Sequence, residues 1–392
     1  MPRLRTKTDP ELTLTIVRIL QLISVAKFAH GEDAGGVYGA ERSTVLLCHG
    51  LAARGHEVTL VCRRNAPLLA VAQEAARASQ SSQLPRIVPS WLGSPRNPLA
   101  GWHIARLAKQ YRAELIVGHD PRASRLGLTA ARLLQVPMIG TVRGLYSTEG
   151  YTEAARVIGV SEGVRQHVIA QGVPEERAVV VYNGVDVSRF VPPPDLGAAK
   201  RAIGLEPGHL VVGVVARLSR EKGHDWFLQA AASLAREFPQ ARFVLVGDGS
   251  RHAELAQRAA NLGIEGQLVF AGYQAEIQRW LGAMDVLVLP SVTHEGFARV
   301  LIEAGAMQKP VITSPVGGNA EAVVDGETGL LVPVNDVEAL STALRCLLGD
   351  ETLRQRLGRH ARQRVEARFT VESMIEQSEA VYQSVLREKA RA

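Results

Sequence analysis

The chain has 392 residues, 46% hydrophobic and 21% charged, with few aromatics and a formal net charge of +6. This balance excludes a disordered or fibrous protein, and the length suits two domains of ordinary size rather than one. The charge is uneven: residues 1–190 carry 23 Lys/Arg against 15 Asp/Glu, residues 191–392 carry 22 against 24, and between 61 and 148 twelve cations meet only Glu74, Glu114 and Asp120.

The first apolar run, residues 12–26, is interrupted by Arg18 and Gln21 and has no small-residue cleavage site, so neither a signal peptide nor a spanning helix is expected. Within it, 17–23 reads as a strand. Further strands are expected at 57–61, 114–117, 137–142, 157–160 and 178–182, with helices such as 41–54 and 123–134 between them. Short β-branched runs alternating with Ala/Leu/Arg-rich segments are the pattern of an α/β protein built on parallel sheets. Residues 183–209 are rich in Pro, Gly and Asp and include three consecutive prolines, which reads as a stiff connector between domains. The pattern restarts with strands at 210–216, 242–246, 268–270, 286–289 and 311–313 and helices such as 225–237 and 252–262. A helical tail, 336–388, breaks near Phe369 and Thr370. Cys48, Cys62 and Cys346 show no metal-ligand spacing and cannot all pair, which fits a reducing cytoplasmic compartment.

Ligands of open parallel sheets bind outside the carboxyl ends of the strands, and the residues there are the candidates. Arg217 and Lys222 follow the strand 210–216 and precede Gly223 and a helix; two cations beside a helix N-terminus suit a diphosphate, and a surface pair flanking a turn fits equally. GDGSRH (247–252) lacks the third glycine of a dinucleotide fingerprint. AHGEDAGGVYGAER (29–42) offers Gly35, Gly36 and Gly39, where backbone can approach a phosphate or sugar, or an ordinary loop. His119 and Asp120 follow the strand 114–117, where an imidazole can donate to a sugar hydroxyl.

The stretch HEGFARVLIEAGAMQKPVITSPVGGNAEAV (294–323) places Glu295 in a loop at a strand end and Glu303 in the second turn of a helix among Val300, Leu301, Ile302 and Ala304. A carboxylate in such company needs donors, and sugar or ribose hydroxyls would serve. The amides of Gly296, Phe297 and Ala298 suit a phosphate, and Gly317 and Gly318 let a second backbone turn approach. Alternatively, Glu295 favours the helix N-terminus electrostatically and Glu303 is an exposed helical residue paired with a cation.

These segments, with GAERSTVLLCHGLAARGHEVTLV (39–61), VSEGVRQHVIAQGVPEERAVVVYNGVDVSRF (160–190), VVGVVARLSREKGHDWFLQAAASL (211–234) and RFTVESMIEQSEAVYQSVL (368–386), resemble the family 4 retaining glycosyltransferases over nearly the whole chain. The resemblance implies the GT-B architecture of two facing Rossmann-like domains. Residues 1–190 would form the acceptor side, completed by a C-terminal helix at about 370–392, and 191–369 the donor side. By match, Glu303 would hold the ribose hydroxyls and Glu295 the transferred sugar. Arg217 and Lys222 would clamp the diphosphate, His119 would lie near the anomeric centre, and Gly36 and Gly39 would frame the loop between donor and acceptor. The usual Gly-Gly before Ala-Glu-Arg reads Tyr38-Gly39 here, and Ala298 stands where glycine often follows Glu-Gly-Phe.

No Asp-x-Asp pair occurs, and the resemblance implies a transferase needing neither metal nor cofactor. The expected partners are a nucleoside diphosphate sugar, a glycan or lipid-linked acceptor of envelope polysaccharide synthesis and, through the basic first half, an anionic membrane face, with no nucleic acid. A sugar-nucleotide epimerase of the same architecture, an NAD-dependent oxidoreductase and a non-catalytic sugar-binding subunit are the alternatives.

Overall fold

The computed structural model describes residues 16–24, 39–78, 81–94 and 96–391. The first sheet contains Arg18–Leu22 (β1), Glu57–Arg63 (β2), Arg86–Ser90 (β3), Leu115–Gly118 (β4), Met138–Val142 (β5), Arg156–Gly159 (β6) and Ala178–Val180 (β7), in the order β3-β2-β1-β4-β5-β6-β7. The second contains Leu210–Val215 (β8), Ala241–Val246 (β9), Leu268–Gly272 (β10), Val286–Leu289 (β11), Val311–Thr313 (β12) and Gly329–Leu331 (β13), in the order β10-β9-β8-β11-β12-β13. The strand pairings that join each sheet are parallel.

Helices cover both faces, so the central strands bury both sets of alternating side chains. In β1, Leu20 and Leu22 enter the core shared with Ile104 and Leu126, whereas Ile19 turns to the opposite core with Leu51 and Leu60. In each sheet the chain adds its second and third strands on one side of the first, then returns to the other side. The reversals lie at β1/β4 and β8/β11, where two crossovers diverge and leave a crevice.

Strands β3 and β13 escape the sequence pattern, and both are sheet edges. β3 contains Pro89 and buries only Ser90, as an edge strand tolerates; β13 has three residues. The connector is not uniformly extended either. Asp195 caps a helix, Leu196–Ala202, by accepting from Ala198 N at 3.0 Å. The buried Lys200 of that helix pairs with Asp285 at 2.8 Å and donates to His209 O at 2.6 Å, which clamps it beside the start of β11.

The chain crosses between the sheets twice, side by side. Val185 N donates to Phe369 O at 2.9 Å and Val371 N to Val185 O at 3.1 Å. Tyr182, Phe297 and Phe369 pack there with ring centroids 5.2–5.3 Å apart. The last helix, Val371–Arg391, then returns to the Gly39–Ala53 helix of the first sheet, where buried Glu379 accepts from Arg54 and pairs with His56, both at 2.7 Å. No described helix is long and apolar enough to cross a membrane.

Candidate active site between the two sheets

The carboxyl edges of the two sheets face one another. Gly296, in the loop after β11, lies against the carbonyl of Arg143, the residue that follows β5, with no room for a Cβ between them. Ser161, after β6, donates its hydroxyl to Gly296 O at 2.7 Å. The Glu321 carboxylate of the second unit accepts from Glu162 N at 2.8 Å, Gly163 N at 2.9 Å and Tyr182 Oη at 2.8 Å. An acid from one sheet therefore caps the helix Glu162–Ala170 of the other, where amides are unpaired and the helix dipole favours negative charge.

On the second-sheet side, the loop after β8 carries Arg217 and Lys222 toward the loop after β11. Lys222 Nζ donates to Glu295 Oε1 at 2.6 Å, and the buried Ser291 hydroxyl donates to the same oxygen at 2.6 Å. Glu295 is 6% exposed. Arg217 Nη2 donates to Glu221 Oε1 at 2.8 Å, so the two cations share one loop and grip different acids. His294 holds a left-handed φ of 62°, a conformation that a non-glycine residue adopts at a cost and that clusters at functional loops. Gly317, with φ 55°, crosses so close to Glu295 that a Cβ would overlap the Glu295 carbonyl; Gly318 N donates to Gly296 O at 3.0 Å.

Phe297 spends its ring on the aromatic trio, and the Ala298 amide points to Asn319 Oδ1 at 3.4 Å. Glu303 is paired, yet it is not an exposed helical residue. It is 4% exposed, and Arg299 one turn earlier grips its Oε1 through Nη2 at 3.0 Å and Nε at 3.2 Å. Arg299 Nη1 also donates to Ser43 at 2.9 Å and to Gly184 O at 3.0 Å, joining the donor-side helix Arg299–Ala306 to the first sheet. Gly39 lies against the Arg299 side chain. Gly35 and Gly36 lie outside the described residues.

On the first-sheet side, His119 follows β4 and is 2% exposed. Its Nε2 is 2.5 Å from Gln21 Oε1, and Arg143 Nη2 is 3.3 Å from its Nδ1. A guanidinium only donates, so Nδ1 accepts and Nε2 carries the proton. Burial, reinforced by the Arg143 charge, holds the imidazole pKa well below its usual value, and the ring is neutral. Asp120 instead closes the switch point, accepting from Ser24 N at 2.6 Å, Ser24 Oγ at 2.7 Å and Ala123 N at 2.9 Å.

Sequence reasoning did not single out Arg143. Its Nη1 donates to Asn183 Oδ1 at 2.8 Å, and burial draws its pKa down to about 10. Its place directly after β5 is the signal that could have found it, by the same strand-end rule. The fold thus brings Lys222 and Glu295 into contact, keeps Arg217 on the same loop and sets Glu303 one helix away. His119 bonds to Gln21 and Arg143 and approaches the second unit through Arg143. A depression of ≈ 540 Å³ beside β13, lined by Leu330, Val332, Ala339 and Cys346, lies at the outer edge of the second sheet, apart from this cluster.

Two parallel, Rossmann-like sheets meeting at their carboxyl edges, with strand-end cations and acids between them, define the GT-B class of glycosyltransferase. Solved structures share the fold: Anabaena HepE in complex with UDP-glucose superposes with a TM-score of 0.81 at 23% identity, over 94% of this chain and 100% of that one. A glycosyltransferase from Rickettsia africae gives 0.81 at 23% over 95% and 99%. The family model described as Glycosyltransferase Family 4 matches residues 37–189, and that described as Glycosyl transferases group 1 matches 198–364. The chain belongs to glycosyltransferase family 4.

Among curated relatives, the lipopolysaccharide core biosynthesis glycosyltransferase LpsE of Rhizobium meliloti is 28% identical over 357 residues, 90% of this chain and 96% of the relative. The core biosynthesis mannosyltransferase LpsB of the same organism is 31% identical over 215 residues, 53% of this chain and 61% of the relative. A D-inositol 3-phosphate glycosyltransferase of Streptomyces bingchenggensis is 32% identical over 307 residues, 70% and 67%.

Proposed function

We propose that this glycosyltransferase moves a sugar from a nucleoside diphosphate donor to a glycan or lipid-linked acceptor of envelope polysaccharide synthesis, with retention at the anomeric carbon. The observation that carries the reading is the Lys222–Glu295 contact at the β8/β11 reversal. It sets a cation suited to a diphosphate against an acid suited to sugar hydroxyls, at the place where an open sheet binds its ligand. Support for the donor class comes from HepE, whose structure contains UDP-glucose. Support for the acceptor class comes from relatives named for lipopolysaccharide core and capsular polysaccharide synthesis.

In this reading the sugar's bond to the diphosphate breaks, a bond from the acceptor oxygen to the anomeric carbon forms, and the hydroxyl proton leaves with the diphosphate. Negative charge grows on the leaving diphosphate, and Lys222 with Arg217 stabilises it from fixed positions. Glu295 orients the sugar as the carbon acquires positive character. Glu303, anchored by Arg299, meets the ribose, and the amides of Gly296 and Phe297 face phosphate. Neutral His119, with Nδ1 turned to Arg143, positions that cation at the first-sheet side of the cleft. The side chains supply the positive charge, so transfer proceeds in the presence of a chelator.

The test is a thermal-shift screen of UDP, GDP and ADP and their sugars, in which a bound donor raises the melting temperature. Transfer assays with EDTA then follow, with product anomers read by NMR. A donor that stabilises the protein and is consumed only with acceptor supports the reading. Conversion of the sugar nucleotide without acceptor identifies an epimerase, and an inverted product removes retention.

A further inference from the structure

Trp91, Leu99 and Trp102 are 47%, 67% and 61% exposed, large values for side chains of that size. One helix gathers them. Leu99 and Trp102 stand one turn apart on the helix Pro98–Gln110, and the Trp91 ring meets the edge of His103 at 6.1 Å between centroids. His103 is itself fixed to the Ser90 hydroxyl at 2.8 Å, so the patch is held on the fold rather than hung from it.

Along this stretch of chain the charge has one sign. From residue 75 to 113 the sequence contains six Lys/Arg and no Asp or Glu. Arg64, Arg96 and Arg106 are exposed; Arg106 stands one turn after His103 on the same helix, and after burial the charges of Arg106 and Arg64 lower the His103 pKa. An apolar tip with indole rings, on a stretch that has cations and no acids, is the composition that seats at the boundary between acyl chains and anionic headgroups. The patch also has a direction. Trp91 directly follows β3 and Leu99 opens the next helix, so both lie at the carboxyl edge of the first sheet, the edge that faces the candidate active site.

We propose that Trp91, Leu99 and Trp102, with the surrounding arginines, dock this enzyme on an anionic lipid surface and hold its cleft open toward that surface. The apolar side chains enter the headgroup boundary, and Arg64, Arg96 and Arg106 meet lipid phosphates. The proposed acceptor class gains a route to the cleft by this means, but docking itself requires no sugar nucleotide.

The test is flotation of the full chain with vesicles of phosphatidylcholine alone or mixed with phosphatidylglycerol, at low and high salt. Two variants accompany it, Leu99→Ser/Trp102→Ser and Arg96→Glu/Arg106→Glu. The expected result is flotation with the mixed vesicles only, weakened by salt, and a loss of about tenfold or more in either variant, since each anchoring group adds separately to the affinity. All four positions are exposed, so melting temperature and transfer to a short soluble acceptor stay unchanged. Failure of the wild type to float with anionic vesicles at low salt overturns the proposal, as does equal flotation of both variants. A dimer that dissociates on Leu99→Ser/Trp102→Ser, with no vesicle binding, assigns the patch to a second copy of the chain and overturns it too. Each of these negative results leaves the transfer reaction intact and so separates this proposal from the functional one.

Discussion

Lys222 and Glu295 are 73 residues apart in sequence and joined at 2.6 Å in space. The contact forms because β8 and β11 are neighbours at the point where the second sheet reverses its strand order, so the loops leaving both strands emerge together. A carboxylate 6% exposed is held there by one ammonium and one hydroxyl.

Substituting either member of that contact tests the chemistry, with the melt reporting what Lys222→Met costs in stability by leaving buried Glu295 without its cation. Lys222→Met is expected to lower kcat/KM by 10²–10³, about 3–4 kcal/mol, the range for a group that stabilises developing negative charge. Glu295→Gln keeps the shape and weakens sugar orientation, so it lowers kcat with a smaller effect on nucleotide affinity. Initial rates beside thermal melts check both; full activity in both variants would remove the site from this contact.

Arg299 is a structural tie as much as a site residue. Arg299→Met leaves Glu303 buried without its cation and breaks the bonds to Ser43 and Gly184. A loss of about 3–5 kcal/mol is expected, as for a buried pair deprived of one partner. Arg299→Met/Glu303→Gln recovers part of it, because no unpaired charge then remains. Urea denaturation measures the difference.

Gly317→Ala probes the approach of two loops. Its φ of 55° disfavours a Cβ, and that Cβ would collide with the Glu295 carbonyl. The substitution is expected to cost about 1–3 kcal/mol and to raise the KM for donor by displacing Glu295. A melt and a donor titration report the two effects independently.

Acid sensitivity follows from buried histidine. Burial lowers the His224 pKa from 6.5 to about 4, with the backbone of Ser219 and nearby charges acting after it. Between those values the unfolded chain binds a proton that the folded chain does not. Stability is therefore full above pH 6.5 and falls as pH drops toward 4, by about 3 kcal/mol from this group. His119, also depressed by burial, acts in the same direction. Denaturant midpoints from pH 7 to 4 give the slope, and His224→Gln is expected to flatten it.

The sequence determined the local facts. Alternating apolar runs located the central strands because those strands are buried on both faces. The strand-end rule located Arg217, Lys222 and Glu295, because carboxyl ends of parallel strands are where loops can diverge. β3, β13 and the linker helix were illegible, since β3 contains Pro89 and buries only Ser90, β13 has three residues, and the linker helix depends on Lys200 reaching Asp285, 85 residues away in the sequence. Tertiary structure alone decided that Arg299 ties the buried Glu303 to Ser43 and Gly184, that Arg143 meets both His119 and Gly296, and that Trp91 packs on His103. Those relationships join residues on different elements whose sequence neighbours carry no trace of one another, and only the packing of strands and helices within and between the two units brings them together.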